Sequence, residues 1–256
     1  MRGELRLTWL GTAGFLIEAA GESLLLDPVL GGAGAPGLDR LARARAVFIS
    51  HGHFDHVMDL PALLADSQAQ VYGNKVTIRC LAARGVPPER MTAVEGREEE
   101  FRLGGLAARA FAGAHVRFDL PLVFATLRRS WGGFRKIWPL LRDYPCGRVL
   151  CWRFEWEGRS LLHLGSAGRR PGQVAAMARR PPEILLAPLQ GHSRITDKAL
   201  ELTRELGPRV VLPHHFDDFY PPVSQWVDPE PFRRAVAREM PDCRVLAPRL
   251  GETIVL

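Results

Sequence analysis

A chain of 256 residues, 46% hydrophobic and 24% charged, can bury a full core without disulfide or metal staples, and 25 Gly with 20 Pro exclude a coiled coil. The same hydrophobic fraction excludes disorder, and no apolar run in the sequence approaches the ~20 residues of a membrane span. The formal net charge of +6 is local: residues 116–153 hold Arg117, Arg128, Arg129, Arg135, Lys136, Arg142, Arg148 and Arg153 against Asp119 and Asp143, and the rest of the chain is neutral. Such a segment points to one surface or lid and away from general affinity for nucleic acid.

In chain order, 5–9, 15–18 and 23–26 read as strands, set apart by turn residues at Gly11 and Gly14 and at Ala20 and Gly21. Asp27 and Pro28 end the third, and the Gly-rich stretch 31–37 reads as a loop. Residues 46–50 read as a buried strand that runs straight into His51-x-His53-x-Asp55-His56. Helices are expected over 61–66 and 75–84, the second with Val76, Cys80 and Ala83 on one face, and a further strand over 107–111. Beyond the basic window, 149–156 and 160–164 read as a hairpin closed at Glu157 and Gly158. Helical spacing at 172–179, 197–206 and 230–239 then alternates with short apolar strands at 184–187, 210–212, 244–246 and 253–256. Strands and helices recur in both halves without a polar linker, so one α/β domain is expected over 1–256, with a basic, aromatic insertion at about 116–148. The N-terminus carries no signal-peptide pattern, and Cys80, Cys146, Cys151 and Cys243 form no C-x-x-C pair, which predicts free thiols in a reducing cytoplasm.

Three imidazoles and a carboxylate within His51-x-His53-x-Asp55-His56 have no packing explanation, because each would need its own hydrogen-bond partner if buried. At the end of a strand, i and i+2 side chains can converge on one ion while i+4 and i+5 turn to a neighbouring position. Neutral imidazole with carboxylate suits Zn2+ and, at similar softness, Mn2+ or Fe. At these residues the chain resembles the metallo-β-lactamase superfamily, whose signature is H-x-H-x-D-H after a buried strand. Leu10 to Ile17 and Leu25 to Pro28 look like that superfamily's opening hairpin and its supporting aspartate. The branch most resembled is the compact one of the ascorbate-phosphate lactonases and the N-acyl-phosphatidylethanolamine phospholipases. The resemblance implies a four-layer αβ/βα sandwich with a metal site on the edge between two sheets. It implies His51, His53 and His115 around a first ion, and Asp55, His56 and a later histidine around a second. Both His214 and His215 are available for that last place; adjacent strand residues face opposite ways, and the family's P-x-H pattern selects His215. Asp27 matches a carboxylate that orients ligands, which suits imidazole N–H groups needing an acceptor.

One position departs from the pattern. Ser166, in Leu164-Gly165-Ser166-Ala167-Gly168, stands where the family places an aspartate that bridges two metals. Two divalent ions with Asp55 as the only anionic ligand would carry a net charge of about +3, an expensive arrangement. The site then holds one ion, or binds a second weakly with water or substrate phosphate as the bridge, or recruits another group. Candidates for that group are His163, His192 and Asp217. A metal ion lowers the pKa of its water to near neutrality and polarises the attacked group, so hydrolysis by a metal-bound hydroxide is the expected chemistry. Asp55 would orient that water and accept its proton, and Ser166 or His192 would assist a developing oxyanion.

Within the basic window, Leu127, Trp131, Phe134, Trp138 and Leu141 fall on one helical stripe, with Arg128, Arg129, Arg135, Lys136 and Arg142 on its flank and far side. Gly132, Gly133 and Pro139 predict that any helix there is broken or short. The segment is either an ordinary helix packed on the sandwich or a lid beside His115 that attracts an anionic substrate or contacts a membrane surface peripherally. The function expected is metal-dependent hydrolysis of an ester, lactone or phosphodiester bond in a small or lipid-like anionic substrate. The alternative is a metal-binding protein of the same fold with little hydrolytic activity; a nuclease rests on charge alone, and nucleic acid is not the expected partner.

Overall fold

The layering follows from alternation in the first strands, seen in a computed structural model that describes residues 3–28, 30, 36–130 and 134–256, without the side chains of 134–137. In β1 (Leu5–Gly11), Leu5, Leu7 and Trp9 enter one core while Leu10 enters another. The same split recurs in β2 (Gly14–Ala19) and β3 (Glu22–Leu26), where Phe15, Ile17, Leu24 and Leu26 join the first core and Leu16 and Leu25 the second. A sheet apolar on both faces needs a partner layer on each.

β1 to β3 run antiparallel, and β4 (Ala46–Phe48), β5 (Gln70–Gly73) and β6 (Met91–Ala93) continue the sheet in parallel. β14 (Thr253–Val255) closes the other edge against β1, giving the order β14-β1-β2-β3-β4-β5-β6. The second sheet has the order β13-β12-β11-β10-β9-β8-β7, built from β7 (Arg97–Leu103), β8 (Leu106–Ala112), β9 (Leu150–Trp156), β10 (Arg159–Leu164), β11 (Ile184–Pro188), β12 (Val210–His214) and β13 (Arg244–Val245). The larger core lies between the sheets, around Phe15, Phe48, Trp152 and Phe154. Leu60, Leu63 and Leu64 of α3 (Leu60–Ala65) and Leu81 of α4 (Lys75–Ala82) cover the outer face of the first sheet. Buried side chains of α7 (Pro171–Ala178), α8 (Ile195–Leu206) and α9 (Glu230–Glu239) cover that of the second. The result is the expected four-layer αβ/βα sandwich. Among the described residues no helix is long and apolar enough to cross a membrane.

The hairpin at Glu157 and Gly158 has both central residues at positive φ, the turn whose twist matches its strands. β5, β6 and β7 have no counterpart in the sequence reading, since two are very short and Arg97–Leu103 is mostly charged and exposed. The break expected in the basic window is present, so the stripe read through 127–141 is split between two short elements. The segment forms two helices, α5 (Leu120–Ser130) and α6 (Phe134–Asp143), with Pro139 inside the second. Trp131, Gly132 and Gly133 lie outside the described residues, as does most of the loop read at 31–37. On α5 only Ser130 is buried, so it does not pack an apolar stripe onto the sandwich.

Candidate metal centre

Every sequence-predicted ligand follows the end of a strand. His51 and His53 follow β4, and His53 is the N-cap of the single-turn helix α2 (Phe54–Val57), which carries Asp55 and His56. His115 follows β8, Ser166 follows β10 and His215 follows β12. Asp27 follows β3 in a left-handed conformation at φ 35°, and His215 is left-handed too, at φ 58°, with its N–H donating to the Thr12 carbonyl at 2.7 Å. That kink turns His215 out of the strand. His214 stays within it, fully buried, stacked 5.1 Å from His163 and edge-on to Phe15.

Among the described residues two donor groups result. His51, His53, His115 and Cys146 bring their donor atoms within 4.8 Å of one another, and so do Asp55, His56 and His215. Their tautomers are set from behind. Ser50 Oγ donates to Asp27 Oδ2 at 2.5 Å and lies 3.0 Å from His51 Nδ1, so that nitrogen carries the proton and Nε2 is left with a lone pair. His115 Nδ1 donates to the Val116 carbonyl at 2.7 Å, which frees its Nε2 in the same way. His56 Nδ1 lies 2.9 Å from Asp27 Oδ2, leaving Nε2 to face Asp55 at 3.7 Å. His51 Nε2 and His53 Nδ1 are 3.1 Å apart, near the ~3.3 Å edge of a tetrahedron with ~2.0 Å bonds.

The electrostatics agree with ligation. Burial, and then the neighbouring imidazoles, hold His51 well below its ordinary value, and burial brings His53 down to about 4 and lowers His115. These imidazoles are therefore neutral at pH 7, as ligands must be. Burial alone would raise Asp55, but His56 and the His215 hydrogen bond at 3.1 Å outweigh it and hold the carboxyl well below the carboxylate range. Burial alone would lower His56, yet Asp27 and then Asp55 raise it. His215 Nδ1 is buried with no hydrogen-bond partner among the described groups. Three neutral imidazoles in one group, and two further histidines beside one ionised carboxylate in the other, form donor sets that fit a divalent ion of the Zn2+, Mn2+ or Fe type.

The remaining candidates have other uses. Both oxygens of Asp217 accept from the Thr12 N–H, at 3.0 and 2.9 Å, so it braces the residue whose carbonyl holds His215. His192 Nδ1 accepts from the Arg194 N–H at 2.9 Å and belongs to neither donor group, and His192 does not line the cavity above them. His163, fully buried and brought down to about 4 by burial, lies 4.0 Å behind Asp27. Ser166 Oγ accepts from the Val116 N–H at 3.0 Å and lines the cavity. Sequence reasoning missed Ser50, which relays Asp27 to His51, and Cys146, read as an ordinary thiol. No spacing signal marks Cys146, since it lies far along the chain from each of its neighbours in the group.

Above the two groups lies a cavity of about 290 Å³, close to the lower end of the ~300–1,000 Å³ usual for small-molecule sites. The histidines form its floor, and Phe54, Phe118, Leu122, Leu127, Phe219 and Val223 are among its walls. Arg129 is its only lining Lys or Arg among the described residues, held by Gln225 Oε1 at 2.5 Å.

Residues 6–215 match the family described as the beta-lactamase superfamily domain. A "UPF0173 metal-dependent hydrolase" of Myxococcus xanthus is 29% identical over 100% of this chain and 85% of its own length. A protein of the same description from Pelotomaculum thermopropionicum is 28% identical over 98% of this chain and 100% of its own. Among solved structures, Igni18, a metallo hydrolase of the archaeon Ignicoccus hospitalis, superposes with a TM-score of 0.71 at 20% identity, over 99% of this chain and 98% of that one, which shows the shared fold.

Proposed function

The chain belongs to the metallo-β-lactamase superfamily, and from that premise we propose that it is a metal-dependent hydrolase, with zinc as its metal, acting on an ester, lactone or phosphodiester bond of a small or lipid-like anionic substrate. The observation that carries this reading is the position of two pre-oriented donor groups on the floor of an apolar-walled cavity. The description of its relatives as metal-dependent hydrolases supports the reaction class.

When bound, the metal supplies Lewis acidity and a nucleophile at neutral pH. The chain's own residues do the rest. Asp27 holds His56 directly and His51 through Ser50, fixing both rings before the substrate arrives. Asp55 stays ionised at neutral pH, which makes it an orienting acceptor and a weak base. Ser166, whose oxygen already accepts from Val116, has its hydroxyl proton to donate to an oxyanion developing in the cavity. The walls around Phe118, Leu122 and Phe219 exclude water and take an apolar moiety, while Arg129 meets a negative group.

The test is metal analysis of the purified protein, followed by a panel of phosphodiester, lactone and carboxylic ester substrates before and after chelation. Chelator-sensitive turnover of one class, restored by Zn2+, is expected. Protein that binds no divalent ion overturns the proposal. Protein that binds metal tightly and turns over no member of the panel favours the non-hydrolytic alternative.

A further inference from the structure

Three of the four side chains in the first donor group are histidines that the family resemblance implies; the fourth, Cys146, is not. It lies in the turn between α6 and β9, and that turn is fastened to the histidine loop. The Cys146 carbonyl accepts from the Gly52 N–H at 2.9 Å and from Asn74 Nδ2 at 3.3 Å. Asn74 also donates to the Arg148 carbonyl at 2.8 Å while its Oδ1 caps α4, so one side chain ties the turn to a helix start. The fit is close enough to require glycine between the two histidines, because a β-carbon at Gly52 would stand 2.4 Å from the Pro145 carbonyl oxygen. Two loops distant in sequence are thus seated on each other, and the seating brings Cys146 Sγ among the nitrogens of His51, His53 and His115. The other thiols, Cys80, Cys151 and Cys243, belong to no donor group among the described residues.

We propose that Cys146 is a metal ligand, completing a three-histidine, one-cysteine set with His51, His53 and His115. This rests on the metal-site reading above and adds to it. Imidazole and thiolate together form a common tetrahedral environment for Zn2+, and a coordinating thiol is deprotonated outright. An ion held by all four would have a closed set, so the open position that the proposed hydrolysis needs would lie at the three-residue group Asp55, His56 and His215. The S–H bond breaks, its proton leaves to solvent, and the sulfur electron pair forms the bond to the ion without any change of oxidation state. The thiolate restores the negative ligand that Ser166 does not supply. His51, His53 and His115 line the cavity and Cys146 does not, so the sulfur enters this ion's coordination without occupying the substrate space.

The experiment replaces the native ion with Co2+ in the full-length protein and reads its absorption spectrum. A thiolate bound to Co2+ gives an intense near-ultraviolet charge-transfer band that imidazole and carboxylate ligands do not. The band is expected in the wild type and lost in Cys146→Ser, which keeps the weaker visible bands of the histidine-bound ion and binds it at least ~10-fold more weakly. A wild type that binds Co2+ without the band, or a Cys146→Ser protein that retains it, overturns the proposal and leaves the metal-site reading standing. No bound Co2+ at all overturns both. If Cys146→Ser does not fold, alkylation of the wild-type thiol with iodoacetamide, located by peptide mass, decides: protection of Cys146 by Zn2+ supports ligation, and equal rates with and without Zn2+ overturn it.

Discussion

Asp27 Oδ2 lies 2.9 Å from His56 Nδ1 and accepts from Ser50 Oγ at 2.5 Å, with both Asp27 and His56 buried. Since Ser50 also contacts His51, one carboxylate sets the tautomer of a ring in each donor group. Asp27→Asn keeps the shape and removes the charge, so divalent-ion affinity should fall ~10–100-fold at both groups together. Competition against a chromophoric chelator measures this, and a loss confined to one group would contradict the shared role.

A β-carbon on Gly52 would meet the Pro145 carbonyl oxygen at 2.4 Å, a backbone atom that cannot rotate aside. Gly52→Ala should therefore cost about 1–3 kcal/mol in thermal unfolding of the metal-free protein. It should also lower metal content, because the same shift moves Cys146 away from His51 and His53. A variant with wild-type stability and full metal content would show that the two loops are not seated as described.

Much of this centre was legible in the sequence, and the reasons are physical. Polar residues that follow a buried strand and have no packing use stand out against the apolar pattern, as His51, His53, Asp55 and His56 do. Strand alternation says only that His214 and His215 face opposite ways, and the resemblance to the family's P-x-H pattern selects His215; His214 lies in the core. β5, β6 and β7 were illegible because pairing with neighbouring strands, not their own alternation, makes them strands. Cys146 was illegible for a similar reason, since tertiary seating on Gly52 puts it in place and nothing local announces it.

Acid should destabilise the metal-free protein in a defined window. His53 and His163 are brought from 6.5 down to about 4 by burial, so the unfolded chain binds more protons between those values. Stability from these groups is complete above pH 6.5 and is lost as pH falls toward 4, on the order of 3 kcal/mol for fully buried His163. His56 acts in the opposite sense: its raised pKa gives a contribution present below 6.5 and lost as pH rises through its folded value. Melting temperature followed from pH 8 to pH 4 should fall on the acid side of 6.5, and a flat acid limb would contradict the burial of His163.

Leu120 and Phe124 on α5 are 71% and 68% exposed, fall with Arg128 at successive i, i+4 positions, and do not line the cavity. We propose this stripe as the peripheral contact through which the protein meets an anionic lipid surface. Sedimentation with vesicles containing anionic lipid should pull down the wild type, and Leu120→Ser with Phe124→Ser should weaken binding at least ~10-fold, given about 0.8 kcal/mol per buried methylene group. Absence of wild-type binding to anionic vesicles at low salt would confine this segment to roofing the cavity.

Arg129 differs from its neighbour Arg128 in facing the cavity, where Gln225 and Thr126 Oγ1 at 3.3 Å hold its guanidinium. Arg129 lines the same cavity as the histidines but belongs to neither donor group, so its expected role is to bind the anionic part of a substrate. A charge-assisted hydrogen bond contributes about 1.5–3 kcal/mol, so Arg129→Gln should raise KM for an anionic substrate by ~10–100-fold and leave kcat nearly unchanged. The uncharged analogue of the same substrate should show no change in either parameter. If kcat falls instead, with KM unaltered, Arg129 contacts the reacting group in the transition state and is not a binding residue alone.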